Sequence, residues 1–147
     1  NGSDKHPPAV SSLDMCQVTA ERWELTKMTA DKALHQFFNS FGIPAFPETA
    51  VPDEQEMPYI TYPFGMSLFD DGPVLMTVYL WYKTASEAIP TAKGMEIIQA
   101  IGRGGCTVDI DGGYIWLMVG SPAMRSVPDE ENTIKRRAIN ITAEFFL

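Results

Sequence analysis

The most constraining feature of this sequence is a ten-residue strand pattern that runs directly into a helix pattern. The stretch VLMTVYLWYK, residues 74–83, alternates between two faces, and both faces are largely apolar. A strand with one solvated face normally alternates apolar and polar side chains, so this strand needs cover on both sides. Helices of the same chain or a neighbouring subunit would supply that cover.

The two faces of this strand differ in character. One face carries Val74, Met76, Val78, Leu80 and Tyr82, and the other carries Leu75, Thr77, Tyr79, Trp81 and Lys83. We expect Tyr79 and Trp81, with Tyr114 and Trp116 of a later hairpin, on the side that the helices leave uncovered. Aromatic side chains are enriched at subunit interfaces. Cover by the N-terminal residues of the same chain is the alternative, and the sequence leaves both open.

The helix that follows has a clear start. Thr84 and Glu87 have the spacing of a capping box, with Ser86 as an alternative N-cap because Pro90 is tolerated only in the first turn. Gly94 predicts a close approach of this helix to the sheet. The pattern predicts one inward face, formed by Ala88, Ile89, Ala92, Met95, Ile98 and Ile101.

The remaining patterns complete an α+β domain. A helix is predicted over 29–41 from its apolar stripe and Thr29 cap, and a short strand over 58–64. A proline-rich connector separates them. A hairpin over 105–120, a protruding loop over 121–132 and a last strand over 133–147 follow. The order α-β-β-α-β-β-β predicts a mainly antiparallel β-sheet with two helices packed on one face.

Residues 1–27 differ in composition from the rest of the chain. They open with a polar stretch that contains a proline pair, and we expect an N-terminal extension, partly flexible, before a single domain over 28–147. Neither a signal-peptide pattern nor an apolar run long enough for a membrane helix is present in the sequence. We therefore expect no membrane partner and a cytoplasmic site of synthesis.

Charge and cysteine content narrow the function classes. The 147 residues carry 19 acidic and 11 basic side chains, a formal net charge of −8, which disfavours free nucleic acid as a partner. The run Lys135, Arg136, Arg137 is the local exception, with a solvated strand end as its simplest interpretation. Cys16 and Cys106 lack metal-site spacing, and two free thiols are favoured over a disulfide between them.

The residues offer little for catalysis or for a cofactor. His35 lies off its helix stripe and has no nucleophile motif beside it. Cys106 at a strand start is typical of core packing. The GRGG turn at 102–105 follows a helix and precedes a strand, the reverse of a phosphate loop. The acidic runs at 70–71 and 129–131 lack calcium-loop spacing. We expect no enzyme activity, no cofactor and no metal.

Three pieces together carry a family resemblance. They are PYITY at 58–62, YLWYKT with ASEA at 79–88, and the final strand RRAINITAEFFL at 136–147. Over residues 28–147 this pattern resembles the tail terminator (tail completion) proteins of long-tailed bacteriophages and prophages. The resemblance implies a cyclic homo-oligomer, usually a hexamer, that caps the tail tube, stops its polymerisation and presents the surface for head attachment.

The implied partners are further copies of the chain, the tail tube protein and head–tail connector proteins, with DNA in the ring lumen as a further contact. The implied location is the virion tail or neck, after assembly in the host cytoplasm. We expect the interface residues to be Tyr79, Trp81, Tyr114, Trp116, Arg125, Asp129, Glu130, Glu131, Lys135, Arg136 and Arg137. The turn over 65–73 is a second candidate contact.

Other functions stay open at this point. The chain has the size of another head–tail connector, minor capsid or head-completion protein, and residue patterns do not separate these from a terminator. A ring of a contractile injection system would share the same physics. A small-ligand-binding or enzymatic α+β module would use the glycine-rich region at 102–113.

Overall fold

A computed structural model of the protein describes residues 27–65 and 72–147. Helix α1 spans Ala30–Phe38 and helix α2 spans Ala88–Ile101. The strands are β1 (Ala45–Pro47), β2 (Tyr59–Tyr62), β3 (Val74–Lys83), β4 (Cys106–Ile110), β5 (Gly113–Val127) and β6 (Ile134–Phe146). The α+β class is confirmed. Residues 1–26 of the predicted extension and residues 66–71 of the predicted 65–73 turn lie outside the described residues.

The six strands form one mixed sheet in the order β1-β2-β3-β6-β5-β4. β1 and β2 are parallel, and the other neighbours are antiparallel. Strand β1 was not predicted, because the connector that contains it is rich in proline. Pro47 fits there since β1 is an edge strand, where a missing backbone donor costs no ladder bond.

One face of the sheet, here called the core face, carries the hydrophobic core. Met76, Val78 and Leu80 of β3 are at most 1% exposed. They share a core cluster with Leu34 and Phe38 of α1 and with Ile97 and Ile101 of α2. The prediction that the even-numbered residues of β3 form a distinct apolar face is confirmed.

Helix α1 is shorter than predicted. It ends at Phe38, because Asn39 caps it and the Asn39 side-chain oxygen accepts a hydrogen bond from the backbone amide of Ala45 at 3.0 Å. Phe41, predicted as the last helical residue, lies beyond the helix and is still buried, with 7% of its surface exposed. The chain therefore turns towards β1 while keeping the aromatic side chain in the core.

The loop predicted over 121–132 is wrong for its first half. Residues 121–127 belong to β5, which pairs with β6 on both sides of an irregularity between Val119 and Met124. Val119 pairs with Ile141, whereas Met124, five residues later, pairs with Ile139, only two residues earlier in β6. The extra residues of β5 form a bulge. Beyond it, even-numbered residues of β5 lie on the face that odd-numbered residues occupied before it. Bulges accept the glycine and proline that made this segment resemble a loop.

The bulge has a packing consequence. It returns Met124 to the core face, where a Cβ added to Gly94 of α2 would lie 2.3 Å from the Met124 sulfur. Gly94 is buried. The predicted close approach of α2 to the sheet is confirmed, and it happens at the strand segment that sequence patterns assign to a loop.

The inward face predicted for α2 is wrong in part. Its buried residues are Pro90, Gly94, Ile97 and Ile101, whereas Ile89 is 52% and Met95 42% exposed. The helix is apolar almost all round, so the 3.6-residue period does not identify a single apolar face. The predicted capping box is not formed; instead the Ser86 hydroxyl, just before the helix, accepts hydrogen bonds from the amides of Ala88 and Ile89.

Candidate functional site

The face of the sheet opposite the core face is here called the open face. Cross-strand partners share a face, so the register places Tyr59, Tyr79 and Trp81 on it with Tyr114 and Trp116. Leu75 on the same face is 66% exposed and Tyr114 is 40% exposed. The other four aromatics, Tyr59, Tyr79, Trp81 and Trp116, are half-buried. The structure thus places all four aromatic residues predicted for an interface on the same face of the sheet.

One end of the open face carries an aromatic and guanidinium cluster. The Tyr59 and Trp81 rings stack with centroids 6.0 Å apart, and the Trp81 indole donates a 3.0 Å hydrogen bond to the Thr61 hydroxyl. The Arg136 guanidinium lies 4.6 Å from the Trp81 ring centroid and 5.8 Å from that of Tyr79. Such cation–π contacts favour arginine over a flat aromatic surface.

This cluster leaves one polar atom without a protein partner. The Nε–H of Arg136 is buried and donates to no acceptor among the described residues, although a terminal guanidinium nitrogen donates to the Pro128 carbonyl at 3.3 Å. Beside the cluster lies a shallow groove of about 280 Å³, lined by Glu48, Val51, Tyr59, Thr61, Tyr79, Trp81 and Arg136. Its walls are three strands, β2, β3 and β6, and the connector, so it is a surface depression of the open face.

The second aromatic cluster lies at the other end of the open face. Tyr114 stacks on Phe146 with centroids 5.0 Å apart. Trp116 pairs with Glu144 across the strands, and its indole donates to the Gly104 carbonyl at 3.2 Å. Tyr59 and Phe146 were missed as site residues, because only the register shows that they share a face with the predicted aromatics.

The three consecutive basic residues occupy two different environments. Arg136 lies on the open face, whereas Arg137 pairs with Leu80 on the core face and is 4% exposed. The Arg137 guanidinium donates to the Glu87 carboxylate at 2.6 Å, to the Glu87 carbonyl at 3.2 Å and to the Thr91 hydroxyl at 3.3 Å. The Arg137 side chain is therefore hydrogen-bonded within its own chain, which argues against the predicted interface role.

The neighbouring basic side chains, Lys135 and Arg136, also lie close to acidic side chains of the same chain. Lys135 lies 3.5 Å from the Glu87 carboxylate, and Arg136 lies 4.0 Å from that of Asp129. The hydrogen bond from Arg137 lowers the pKa of the Glu87 carboxyl below its ordinary value, and Lys135 adds a smaller effect. The run 135–137 is thus not a bare basic patch, and it gives no support for a DNA contact.

The other predicted interface residues lie around the same end of the sheet. Arg125 is exposed and pairs with Ala138 on the open face. Glu130 and Glu131 are exposed in the short loop between β5 and β6, and Asp129 is half-buried there. The Asp129 carboxylate also accepts a 3.2 Å hydrogen bond from the Glu131 amide. These acids remain candidate contacts, next to the open face rather than on it.

The glycine-rich region at 102–113 has a structural explanation. Gly102, Gly105 and Gly112 have φ values of +81°, +86° and +87°, which glycine adopts without strain. A Cβ on Gly105 would lie 2.5 Å from the Leu117 carbonyl oxygen. Turn geometry and the close approach of a neighbouring strand therefore explain these glycines. The glycine-rich pattern is then no evidence for a ligand site.

Groups with catalytic chemistry are not assembled in the described part of the chain. The Nδ1 of His35 lies 3.2 Å from the Tyr62 hydroxyl on the outside of α1. Burial raises the pKa of the free Cys106 thiol. Over residues 27–65 and 72–147, no three His, Cys, Asp or Glu side chains are placed to hold a metal ion. Cys16 lies outside the described residues.

Comparisons with known proteins add no assignment. No protein-family model matches this sequence, and no curated protein is significantly similar to it. Of the helices that the structure describes, neither is long and apolar enough to cross a membrane.

Proposed function

We propose that this chain is the subunit of a cyclic assembly that caps a bacteriophage tail tube, stops its polymerisation and presents the surface for head attachment. The observation that carries the proposal is the open face, on which exposed Leu75 and Tyr114 lie beside the half-buried Tyr79, Trp81 and Trp116. Exposed apolar and aromatic side chains gathered on one face are typical of an interaction site. The resemblance of residues 28–147 to tail terminators supplies the biological setting.

The distribution of layers supports this use of the open face. Helix α2 contacts β3, β5 and β6, while α1 contacts β1 and β4, and buried residues of both helices join the core cluster. We infer that both helices cover the core face of a largely antiparallel sheet, as predicted from the sequence. The chain then has one internal layer and one face left for its neighbours.

A structural role also explains the chemistry of the surface. Interface cores are enriched in aromatic residues and arginine and depleted of other charges. Trp81, Tyr79, Tyr59 and Arg136 meet this description within one stacked cluster. In the assembled particle the open face would contact a further copy or the tube, the acidic loop 129–131 would lie at its rim, and the location would be the tail or neck of the virion.

The decisive experiment measures assembly and capping separately. Light scattering after size-exclusion chromatography gives the mass in solution, and negative-stain electron microscopy of the protein mixed with the tube subunit from the same genome shows the site of binding. Closed rings at tube ends support the proposal. Binding to empty heads instead of tubes would assign the chain to the other connector proteins. A protein that stays monomeric and does not bind tubes would refute the proposal.

A paired variant connects the result to the open face. Leu75→Glu places a charge at a side chain that is 66% exposed, so the folded monomer should keep its stability to within about 0.5 kcal/mol. Assembly or capping should be lost, because a charge would be buried in the contact. Gln36→Glu adds the same charge to the exposed side of α1 and serves as the matched control.

A further inference from the structure

The contact between Met124 and Gly94 holds the second half of β5 against α2. A Cβ added to Gly94 would lie 2.3 Å from the Met124 sulfur and 3.6 Å from the Leu80 side chain, so the thioether packs directly on the helix backbone. Ser126, the next residue of β5 on the core face, is exposed and polar. Met124 is therefore the apolar side chain through which this part of β5 packs on α2.

Met124 also lies close to the protein surface. It is half-buried, and Pro122 and Arg125 on either side of it are exposed. Two other methionines show the extremes, because Met76 in the core is 1% exposed and Met95 on α2 is 42% exposed. Of these three methionines, Met124 alone combines a sulfur that packs on a helix backbone with access from solvent.

Oxidation would change the character of this contact. A methionine thioether is apolar and polarisable, whereas its sulfoxide is strongly polar. The neighbours of the Met124 sulfur at this contact are Gly94 and Leu80, and the Gly94 amide, inside α2, is hydrogen-bonded to the preceding turn. A sulfoxide oxygen held there would be buried without a donor, which is costly. The oxidised side chain should therefore leave the contact and turn towards water.

We propose that Met124 is an oxidation-sensitive site whose sulfoxide releases the middle of α2 from the sheet. Hydrogen peroxide supplies the oxygen. A lone pair of the Met124 sulfur forms the S–O bond as the O–O bond breaks, and the leaving hydroxide takes the proton of the transferred hydroxyl to give water. The thioether is oxidised to the sulfoxide and the peroxide is reduced. This inference is independent of the proposed capping function, because it concerns packing within one copy.

The other contacts of α2 limit the change to one region. At its N-terminal end Arg137 of β6 donates to the Glu87 carboxylate at 2.6 Å and to the Thr91 hydroxyl at 3.3 Å. At its C-terminal end Ile101 belongs to the core cluster. Gly94 lies between these two attachments. Oxidation should therefore loosen the middle of α2 and the bulged half of β5, while the β3–β6 pair stays intact.

Peroxide treatment of the full-length protein tests this site. A Cys16→Ser, Cys106→Ser background keeps thiols out of the reaction, and it is compared with the same chain carrying Met124→Leu or the control Met95→Leu. Peptide mass spectrometry follows each methionine, and urea unfolding measures stability. We expect Met124 to oxidise before Met76, and the unfolding equilibrium constant to rise about tenfold or more as its sulfoxide forms, because a core contact is lost. Met95→Leu should show the same rise, whereas Met124→Leu, which conserves volume, should not.

Hydrogen exchange locates the effect, and enzymatic reduction shows that the sulfoxide causes it. In the oxidised background chain the amides of residues 88–101 and 120–127 should exchange several-fold faster, while those of β3 and β6 stay protected. Methionine sulfoxide reductase should restore exchange and stability, which tests the site even if Met124→Leu does not fold.

Three results would overturn the inference. The first is a Met124 sulfoxide that leaves stability and hydrogen exchange unchanged. The second is an equal loss of stability in the oxidised Met124→Leu protein, because another methionine would then be responsible. The third is oxidation of Met124 only together with the buried Met76, because that would require the whole domain to unfold first.

Discussion

The guanidinium carbon of Arg136 lies 4.6 Å from the centre of the Trp81 ring, across the β3–β6 strand pair. The next residue, Arg137, points to the other face and is buried against α2. Two consecutive arginines therefore serve different purposes, one at a half-exposed aromatic surface and one inside the domain. Variants on the two faces of the sheet should accordingly separate assembly from folding.

Neighbouring residues of β3 provide the sharpest contrast. Leu80→Ala on the core face should lower the free energy of unfolding by about 2–5 kcal/mol, because Leu80 is fully buried. Trp81→Ala should cost the monomer only about 1–2 kcal/mol, for the lost Thr61 hydrogen bond and the cation–π contact. Urea unfolding of dilute protein measures both values.

The assembly phenotypes should be reversed. Trp81→Ala should weaken subunit association by about 2 kcal/mol or more, roughly thirtyfold in Kd, if Trp81 is an interface hot spot. Sedimentation or light scattering over a concentration series measures this change. A Trp81→Ala protein that assembles normally but unfolds as easily as Leu80→Ala would place Trp81 in the core instead.

The Glu87–Arg137 pair should respond asymmetrically to truncation. Glu87→Ala leaves a guanidinium that is 4% exposed without its anion, whereas Arg137→Met leaves Glu87 in contact with water. We expect Glu87→Ala to lower the urea midpoint more than Arg137→Met, because an uncompensated buried charge is the costlier product. Lys135→Met, which removes the 3.5 Å partner, is the control and should change stability by less than about 1 kcal/mol. Equal losses for the first two variants would argue against this asymmetry.

The same pair predicts a dependence of stability on pH. The pKa of Glu87 is lowered in the folded protein, chiefly by its hydrogen bond from Arg137. Its contribution is therefore complete above the unfolded pKa of about 4.3 and is lost as the pH falls through the lower folded pKa. The stability difference between the native protein and Glu87→Gln should be constant near neutral pH and shrink below about pH 4. A difference that persists unchanged into acid would contradict this assignment.

The glycines of the β4–β5 turn should differ strongly although they are adjacent. A Cβ on Gly113 would lie 1.8 Å from the Phe146 carbonyl oxygen, a backbone atom that cannot move without opening the β5–β6 pair. Gly113→Ala should therefore cost about 3 kcal/mol or more. Gly112→Ala meets no atom within 4 Å and should cost only about 1–2 kcal/mol, for its left-handed φ of +87°.

A third glycine, Gly104, provides the control for these two variants. Gly104 has open space where a Cβ would be placed and an ordinary φ, so Gly104→Ala should stay within about 0.5 kcal/mol of the native protein. Thermal unfolding of the three variants gives the ranking. Similar melting temperatures for Gly113→Ala and Gly104→Ala would show that the β5–β6 pairing at this end tolerates displacement.

The secondary structure was predictable wherever the apolar period was unambiguous. Strand β3 has the bounds read from its pattern, and its buried residues are the even-numbered set that includes Met76 and Leu80. Alternation alone identifies the two faces, because side chains of a strand point to opposite sides. The same reasoning failed for α2, where Ile89 and Met95 fit the period but are exposed, since apolar residues occur on every side of that helix.

The assembly of the open face depended on the tertiary structure. No local pattern indicates that β6 lies between β3 and β5, so the stacking of Arg136 on Trp81 and of Tyr114 on Phe146 was not predictable. The bulge of β5 was equally hidden, because its glycine and proline are also typical of loops. Both features arise from pairing between residues far apart in the chain.

The sequence by itself determined the α+β class, the two-sided apolar strand and the aromatic character of its second face, because these follow from local periodicity and composition. Only the tertiary structure decided which of those side chains share a surface and which are used internally, as Arg137 is. The physical reason is that burial and hydrogen bonding depend on strand order and register, which non-local contacts set.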